Sequence, residues 1–304
     1  MVENRSNRLY GPVVALSLAF GMCGWWCFSF LELVQYPLLV ALVLLIGIPH
    51  GANDFLLFRR LQGLRLSRKQ VFRFFVFYLA AVFGYLVGWL LIPESALVMF
   101  LIISAYHFGQ SNWYYLNLPR WVAALVYLVW GAFVLGGALL WHWEDSRKVV
   151  AQLVGHAPTW SSVVVDNVQW ALLAANMLLV FSLRFTHRIT NQQMYRETVS
   201  LGVLSFLLLH TPLLVGFTVY FTLWHSLGSL LNQIIFFRSQ WPSFTLLTYY
   251  RQAIPYTLLA ISGLPGLFLF QSLLFSNASL VSSFFMLMAC VTLPHIILIE
   301  ESFK

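Results

Sequence analysis

Long apolar stretches follow one another along almost the whole chain of 304 residues. A helix needs about 20 mostly apolar residues to cross a bilayer, and charges, prolines and polar clusters divide the chain into ten such segments. The predicted spans are Tyr10–Leu31, Pro37–Phe58, Val71–Ile92, Ser95–Leu116, Trp121–Trp141, Val165–Leu183, Glu197–His210, Pro212–Phe237, Arg251–Leu274 and Leu280–Glu300.

Composition agrees with this pattern. Only 9% of the residues are charged, against about 25% in soluble globular domains, which excludes a soluble enzyme. A 60% share of apolar residues also excludes a disordered chain, since disorder requires low hydrophobicity. The sequence therefore predicts an all-α polytopic membrane bundle of about ten transmembrane helices, folded as a single domain over residues 1–304.

The basic residues lie between the apolar segments, so they predict orientation in the membrane and not a nucleic-acid partner, despite the net charge of +7. Cytoplasmic loops are enriched in Lys and Arg. If the basic loop after the second segment is cytoplasmic, fifteen of the 17 basic residues and both termini face the cytoplasm. That loop contains Arg59, Arg60, Arg65, Arg68, Lys69 and Arg73, and Lys304 ends the chain on the same side. The outer segment Trp141–Val164 is expected to form an interfacial belt or a short surface helix.

Four of the eight histidines fall inside predicted spans, where an ionisable residue indicates function by default. They are His50, His107, His225 and His295. All four spans run in the same direction, and the histidines lie at similar depth in the cytoplasmic half, so their imidazoles could converge on one metal ion. Such ligation suits iron, copper, zinc or nickel. Interhelical hydrogen bonding is the alternative. His142, His156, His187 and His210 fall in loops or at a helix end, where a solvated histidine needs no further explanation.

Local sequence supports a shared site. Proline precedes His50 and His295 directly, and a proline ring removes a backbone hydrogen bond and kinks a helix. Asp54 follows His50 by four residues, one helical turn on the same face, where it could orient the imidazole or bind the metal itself. Gln110 and neighbouring polar residues could orient the other rings, as metal-bound histidines usually require.

Aromatic residues form 17% of the chain, and most suit lipid-facing or interfacial positions. Four lie close to the central histidines: Trp113, Tyr220, Phe221 and Trp224. These side chains could line an apolar slot for a long, flat substrate.

Four segments around the histidines, read together, resemble the Brp/Blh family of bacterial and archaeal membrane proteins, the β-carotene 15,15′-dioxygenases that make retinal. The segments are GIPHGANDF (Gly47–Phe55), SAYHFGQSNW (Ser104–Trp113), VGFTVYFTLWHSLGS (Val215–Ser229) and TLPHIILIE (Thr292–Glu300). The resemblance implies a helical enzyme of the prokaryotic cell membrane whose histidines hold non-haem Fe(II), which uses O2 to split the central double bond of β-carotene into two retinals. It also implies an indirect link to a rhodopsin that uses the retinal.

By this resemblance His50, His107 and His225 match family iron ligands, His295 matches the histidine of the last motif, and Asp54 matches an acidic residue after the first histidine. The chain departs from the family pattern in two places. Ser229 stands where a second histidine is common one turn after His225, and Ser111 and Asn112 stand where an acidic residue is frequent near His107.

A serine hydroxyl is a poor substitute for imidazole on Fe(II). Either His295 completes the site, or iron binding is weakened, or the chain is a divergent member with another substrate or no catalysis. Without catalysis it would be a carotenoid- or polyene-binding membrane protein without turnover. A transporter is less well supported, because the chain shows no repeated halves and no carboxylate relay across the membrane.

Overall fold

The computed structural model describes residues 3–63, 66–274 and 278–302, and within these ranges the regular structure is entirely helical. Arg65 and Lys304, which the orientation prediction uses, lie outside the described residues. The α-helices are α1 Glu3–Leu42, α2 Ile48–Ala52, α3 Asp54–Leu61, α4 Arg68–Leu91, α5 Pro93–Trp113, α6 Arg120–Leu140, α7 Trp143–Val154, α8 Ser162–Phe185, α9 Asn191–His210, α10 Leu213–Val219, α11 Leu227–Gln240, α12 Leu246–Leu274 and α13 Leu280–Ser302. Two π-helical segments, Val43–Gly47 and Tyr220–Ser226, join α1 to α2 and α10 to α11.

Within the described residues, seven helical stretches are long and apolar enough to cross a membrane. The first runs over 53 residues, Leu9–Leu61, and contains two of the predicted spans. The predicted spans Ser95–Leu116 and Glu197–His210 are also helical, as α5 and α9, but they do not belong to these seven. Polar side chains inside both helices lower their mean hydropathy. The fold is that of a polytopic helical membrane protein, as the sequence predicts.

The break between the first two predicted spans lies earlier in the chain than expected. The chain stays helical from Leu31 to Pro37, and α1 departs from helical geometry at Cys27 instead, with φ −134° and ψ 47°. The segment between the two spans contains no glycine or proline, so its polar residues end the apolar run without interrupting the backbone hydrogen bonds. The predicted break before Pro212 is present, because Thr211 is extended between α9 and α10.

The described chain divides into two compact units, and the first comprises Met1–Val43, Leu101–Ser146 and Thr159–Gly228. In this unit α1 packs against α9, and α8 packs against both α6 and α9. The second half of α5 lies very close to α6: a Cβ atom at Gly109 would overlap the backbone of Tyr127, and one at Gly131 would overlap the backbone of Ala105. Glycine at both positions therefore allows two helix backbones to touch.

The second unit comprises Leu44–Phe100, Arg147–Pro158 and Ser229–Lys304. Here α13 packs against α4 and α12, and α12 packs against α2. One apolar cluster of this unit includes Leu57, Phe237, Phe244 and Tyr249. A second cluster is built around Trp89, which is fully buried. A single domain over residues 1–304 stays a prediction.

The segment after α6, which the sequence analysis places on the outer side, contains the expected short helix, α7. Trp143 at its start stacks on Trp160, with ring centroids 5.6 Å apart and an interplanar angle of 8°. Glu144 and Asp145 lie in the first turn of α7, where negative charge is stabilised by the helix dipole.

Candidate metal centre

His107 on α5 and His225 in the π-helical segment Tyr220–Ser226 form a pair inside the first unit. Their ring centroids are 4.7 Å apart and their planes are inclined by 73°. Both side chains are buried, with 6% and 3% of their surface exposed. Two buried imidazoles at this distance could bind the same metal ion, or they could simply pack edge to face.

The π-helical turn around His225 widens the helix, and its backbone carbonyls receive hydroxyl donors. Ser226 Oγ donates to the Phe221 carbonyl at 2.7 Å, and Thr222 Oγ1 donates to the Thr218 carbonyl at 2.6 Å. Single π-helical turns inside α-helices are frequent at functional sites. The local sequence therefore supplies the hydroxyl groups that stabilise the irregular turn.

Ser111 orients the ring of His225. Its hydroxyl donates to the Phe108 carbonyl at 2.8 Å, and the same oxygen lies 3.1 Å from His225 Nδ1. Because the single hydroxyl proton goes to Phe108, the oxygen accepts a hydrogen bond from Nδ1–H. This tautomer leaves Nε2 of His225 as the ring nitrogen that could bind a metal.

Aromatic rings surround this pair. The Phe108 ring centroid is 4.9 Å from that of His225, and the Phe221 centroid is 5.9 Å away. Tyr220 packs on Phe108 at 5.3 Å. Of the predicted lining residues, Phe221 is therefore beside His225, and Tyr220 packs on Phe108, which is itself beside His225.

The other two predicted lining residues contact different partners. Trp224 Nε1 donates to Ser17 Oγ of α1 at 2.9 Å. Trp113 is fully buried and packs edge to face on Trp130 of α6 at 5.9 Å. Their role at a substrate slot stays a prediction.

His50 and His295 form a second pair, inside the second unit. Their ring centroids are 5.2 Å apart at an interplanar angle of 87°, and each side chain is 6% exposed. His50 Nδ1 donates to the Gly47 carbonyl, which leaves Nε2 of His50 as the ring nitrogen that could bind a metal. The predicted irregular backbone is present before His50, as the π-helical segment Val43–Gly47, whereas α13 continues through Pro294.

Polar side chains of α11 and α12 hold the irregular backbone around His50. Gln233 Nε2 donates to the His50 carbonyl at 2.9 Å, and the Tyr249 hydroxyl lies 2.8 Å from Gln233 Oε1 and 3.1 Å from the Pro49 carbonyl. The Tyr250 hydroxyl donates to the Leu45 carbonyl at 2.8 Å. Leu45 is four residues before Pro49, which has no N–H to offer it. These bonds fix the position of His50 from outside its own helix.

Asp54 contacts His295. Its Oδ1 atom accepts a hydrogen bond from His295 Nδ1 at 2.7 Å, and its Oδ2 atom accepts one from the Tyr78 hydroxyl at 3.0 Å. The sequence places Asp54 one turn after His50, but α2 ends at Ala52 and α3 begins at Asp54, with Asn53 at φ −89° and ψ 14°. The one-turn relation to His50 requires a continuous helix, and this junction interrupts it.

Gln110 and Ser229 complete the predicted site residues. Gln110 is buried on α5, one turn after His107, with 4% of its surface exposed. Ser229 is partly buried on α11, one turn after His225 in the sequence. Their roles stay predictions.

The structure adds polar residues that the sequence argument did not select. Glu197 of α9 is buried with 4% exposure, and its Oε2 atom accepts a hydrogen bond from Asn112 Nδ2 at 2.9 Å. A glutamate at the edge of an apolar segment was a detectable signal. Tyr78 and Gln233 gave no such signal, because their importance depends on contacts between distant helices.

The other histidines have separate partners. His142 Nε2 lies 2.7 Å from the Leu208 carbonyl, and burial lowers the pKa of this imidazole, so the expectation of a solvated loop histidine is wrong here. His156 is exposed and lies 3.0 Å from Glu94. His210 stacks on Trp25, with ring centroids 4.6 Å apart.

The donor set fits a transition metal. Three buried histidines, His50, His107 and His225, could serve as metal ligands. Neutral imidazole nitrogens in a dry environment suit iron, copper, zinc or nickel. The Nδ1 atoms of His50, His225 and His295 contact a backbone carbonyl, a hydroxyl and a carboxylate, respectively. Metal-bound histidines require orienting contacts of this kind.

A helical membrane protein with buried, oriented histidines is the class that this fold and these residues define. The family model described as Beta-carotene 15,15′-dioxygenase matches residues 41–301, and the chain belongs to this family. The chain is 24% identical over 282 residues to a curated Beta-carotene 15,15′-dioxygenase of Uncultured marine bacterium 66A03, a match that covers 87% of this chain and 93% of the relative. No solved structure matches. The Brp/Blh resemblance is thereby confirmed.

Proposed function

We propose that this protein is a membrane dioxygenase that cleaves the central double bond of β-carotene, or of a related carotenoid, with O2. The reaction balances when the carbon–carbon double bond and both oxygen atoms become two aldehyde groups, so that β-carotene yields two retinals. The family match supports the substrate class, and the paired, buried histidines support a metal-dependent reaction.

The proposed metal is Fe(II), bound by His50, His107 and His225, with His295 as the fourth ligand. Bound iron would supply the activation of O2, because no side-chain acid or base cleaves an unactivated carbon–carbon bond. This assignment is supported best by the hydrogen bonds that Nδ1 makes in His50, His225 and His295. Each bond fixes a ring orientation, and fixed ligands lower the cost of assembling a metal site.

The protein would orient the substrate and exclude water. Tyr220, Phe221 and Phe108 form apolar surface beside His225, where the flat faces of a polyene would be held by van der Waals contact. Correct placement of one bond beside the metal supplies much of the rate, because misplacement by about 1 Å costs on the order of 100-fold. Trp113 and Trp224 are proposed to extend this surface.

The proposed carotenoid substrate dissolves in lipid, which fits an enzyme located in the membrane. Seven apolar helical stretches make this a membrane protein, and a carotenoid dissolved in the lipid bilayer could enter sideways. We propose the prokaryotic inner membrane, with both termini cytoplasmic, and retinal as a product that a rhodopsin could take up.

Expression in β-carotene-producing cells tests the activity. Wild-type protein is expected to bleach the pigment and form retinal, measured by chromatography of extracted lipids. His107→Ala is expected to abolish retinal formation because it removes a proposed iron ligand, whereas the matched control His156→Ala, at an exposed histidine, should leave it unchanged. Unchanged β-carotene with a folded, iron-loaded protein would contradict the dioxygenase.

Variants of Ser229 and His295 distinguish the proposed enzyme from a carotenoid-binding protein without turnover. If serine has weakened the site, Ser229→His should raise both the iron content of the purified protein and the yield of retinal. If His295 completes the ligand set, wild-type protein should already hold one iron per chain, and His295→Ala should lose it. A wild-type protein that binds carotenoid but neither iron nor oxygen would support the binding protein.

A further inference from the structure

Three side chains from three helices of the second unit form a continuous hydrogen-bonded chain. The Tyr78 hydroxyl of α4 donates to Asp54 Oδ2 at 3.0 Å, and Asp54 Oδ1 lies 2.7 Å from His295 Nδ1 of α13. Asp54 is 3% exposed and His295 is 6% exposed. Asp54 and His295 therefore lie in the protein interior, with Tyr78 partly buried, and a hydrogen bond in the interior is stronger than it would be in water.

The direction of the protons along this chain follows from the chemistry of the groups. An ionised carboxylate only accepts hydrogen bonds, so Tyr78 donates to one oxygen and His295 Nδ1–H donates to the other. The two donors also compensate the desolvation of a buried carboxylate, which is costly without hydrogen bonds. The arrangement holds the proton of His295 on Nδ1 and leaves Nε2 as its metal-binding nitrogen.

Tyr78 is itself held in place by neighbouring rings. Its ring centroid is 5.6 Å from that of Phe74 on the same helix, and Phe74 packs on Phe55 of α3 at 5.3 Å. Phe55 directly follows Asp54. Aromatic packing thus fixes the tyrosine against the same short helix that presents the carboxylate, so the donor and the acceptor are positioned together.

We propose that Tyr78 is a positioning residue that acts through Asp54 to fix the ring orientation and tautomer of His295. The consequence for the metal rests on the proposed function, because it requires His295 to be a ligand. The tautomer itself does not, since the hydrogen-bonded chain contains only groups of this protein.

Solid-state ¹⁵N NMR of the full-length, metal-free protein in lipid bilayers reads the tautomer directly. His295→Gln identifies the His295 resonances by their loss. Tyr78→Phe keeps the ring and removes the hydroxyl, and is expected to shift the Nδ1–H resonance of His295. The matched control is Tyr85→Phe, because Tyr85 lies on the same helix and donates to the Ala96 carbonyl at 2.8 Å. Identical His295 resonances in the two variants would overturn the proposal.

Titration with Co²⁺ provides a second measurement, with the binding constant followed by the visible absorption of the bound ion. Loss of an outer-sphere partner typically costs 10–100-fold in metal affinity, and Tyr78→Phe is expected to cost about 10-fold. In the Asp54→Asn background the same substitution should cost nothing further, since Tyr78 acts only through the carboxylate. An equal loss in both backgrounds would show that Tyr78 does not act through Asp54.

Failure of the proposed function gives a different pattern. If wild-type protein shows the Tyr78-dependent His295 resonance but leaves β-carotene uncleaved, the dioxygenase is contradicted and the positioning of His295 stands. If retinal forms while Tyr78→Phe behaves as Tyr85→Phe does in both measurements, the dioxygenase stands and the positioning role is wrong.

Discussion

The two histidine pairs are held by chemically different acceptors. In the first unit the neutral hydroxyl of Ser111 receives the Nδ1 proton of His225, whereas in the second unit the Asp54 carboxylate receives that of His295. Hydrogen bonds to an ionised acceptor are shorter and roughly twice as strong as neutral ones. The separations of 3.1 Å and 2.7 Å follow this order. We therefore expect the first pair to depend more on helix packing, and the second more on hydrogen bonding.

The largest expected effect tests the packing of the first unit. Gly109→Ala would place a methyl group on the backbone of Tyr127, and overpacking of this kind costs about 1–3 kcal/mol, occasionally more. It should lower the thermal unfolding temperature and displace His107 two residues away. Gly202→Ala on α9 is the matched control, because a Cβ atom there meets nothing within 4 Å. Equal unfolding temperatures for both variants would contradict the close contact of α5 and α6.

Next in size is the loss of the charged acceptor in the second unit. Asp54→Asn keeps the shape but replaces an oxygen acceptor by an amide, and iron affinity should fall by about 10–100-fold. Equilibrium dialysis with radioactive iron measures the constant. Asp166→Asn, at an exposed carboxylate on α8, should bind iron as the wild type does. A smaller loss for Asp54→Asn than for Ser111→Ala would reverse the comparison.

The smallest expected effect is at the neutral acceptor. Ser111→Ala removes a hydrogen bond worth about 1 kcal/mol, so iron affinity should fall about 5-fold. Ser239→Ala is its control, since Ser239 Oγ donates to the Phe236 carbonyl three residues earlier at 2.7 Å, as Ser111 does to Phe108, but on an exposed surface. An unchanged iron affinity in Ser111→Ala would show that packing alone orients His225.

Two regions share an irregular backbone despite these differences. Val43–Gly47 precedes His50, and Tyr220–Ser226 contains His225. Neither π-helical segment was expected from the sequence, although Pro49 indicated an irregularity near His50. A π-helical turn in α10–α11 depends on hydroxyls and packing from neighbouring turns and helices, which hydrophobic periodicity does not describe.

Hydropathy by itself determined that the chain is helical and crosses a membrane, because runs of about 20 apolar residues have few other stable structures. The depth of His50, His107, His225 and His295 within those runs likewise determined their burial. Which acceptor holds each ring was decided only by the tertiary structure. Asp54 follows His50 by four residues in the sequence, yet the helix is interrupted at Asn53 and the Asp54 carboxylate accepts a hydrogen bond from His295. A hydrogen bond depends on the distance in space and on the backbone geometry between the residues, not on their separation in the sequence.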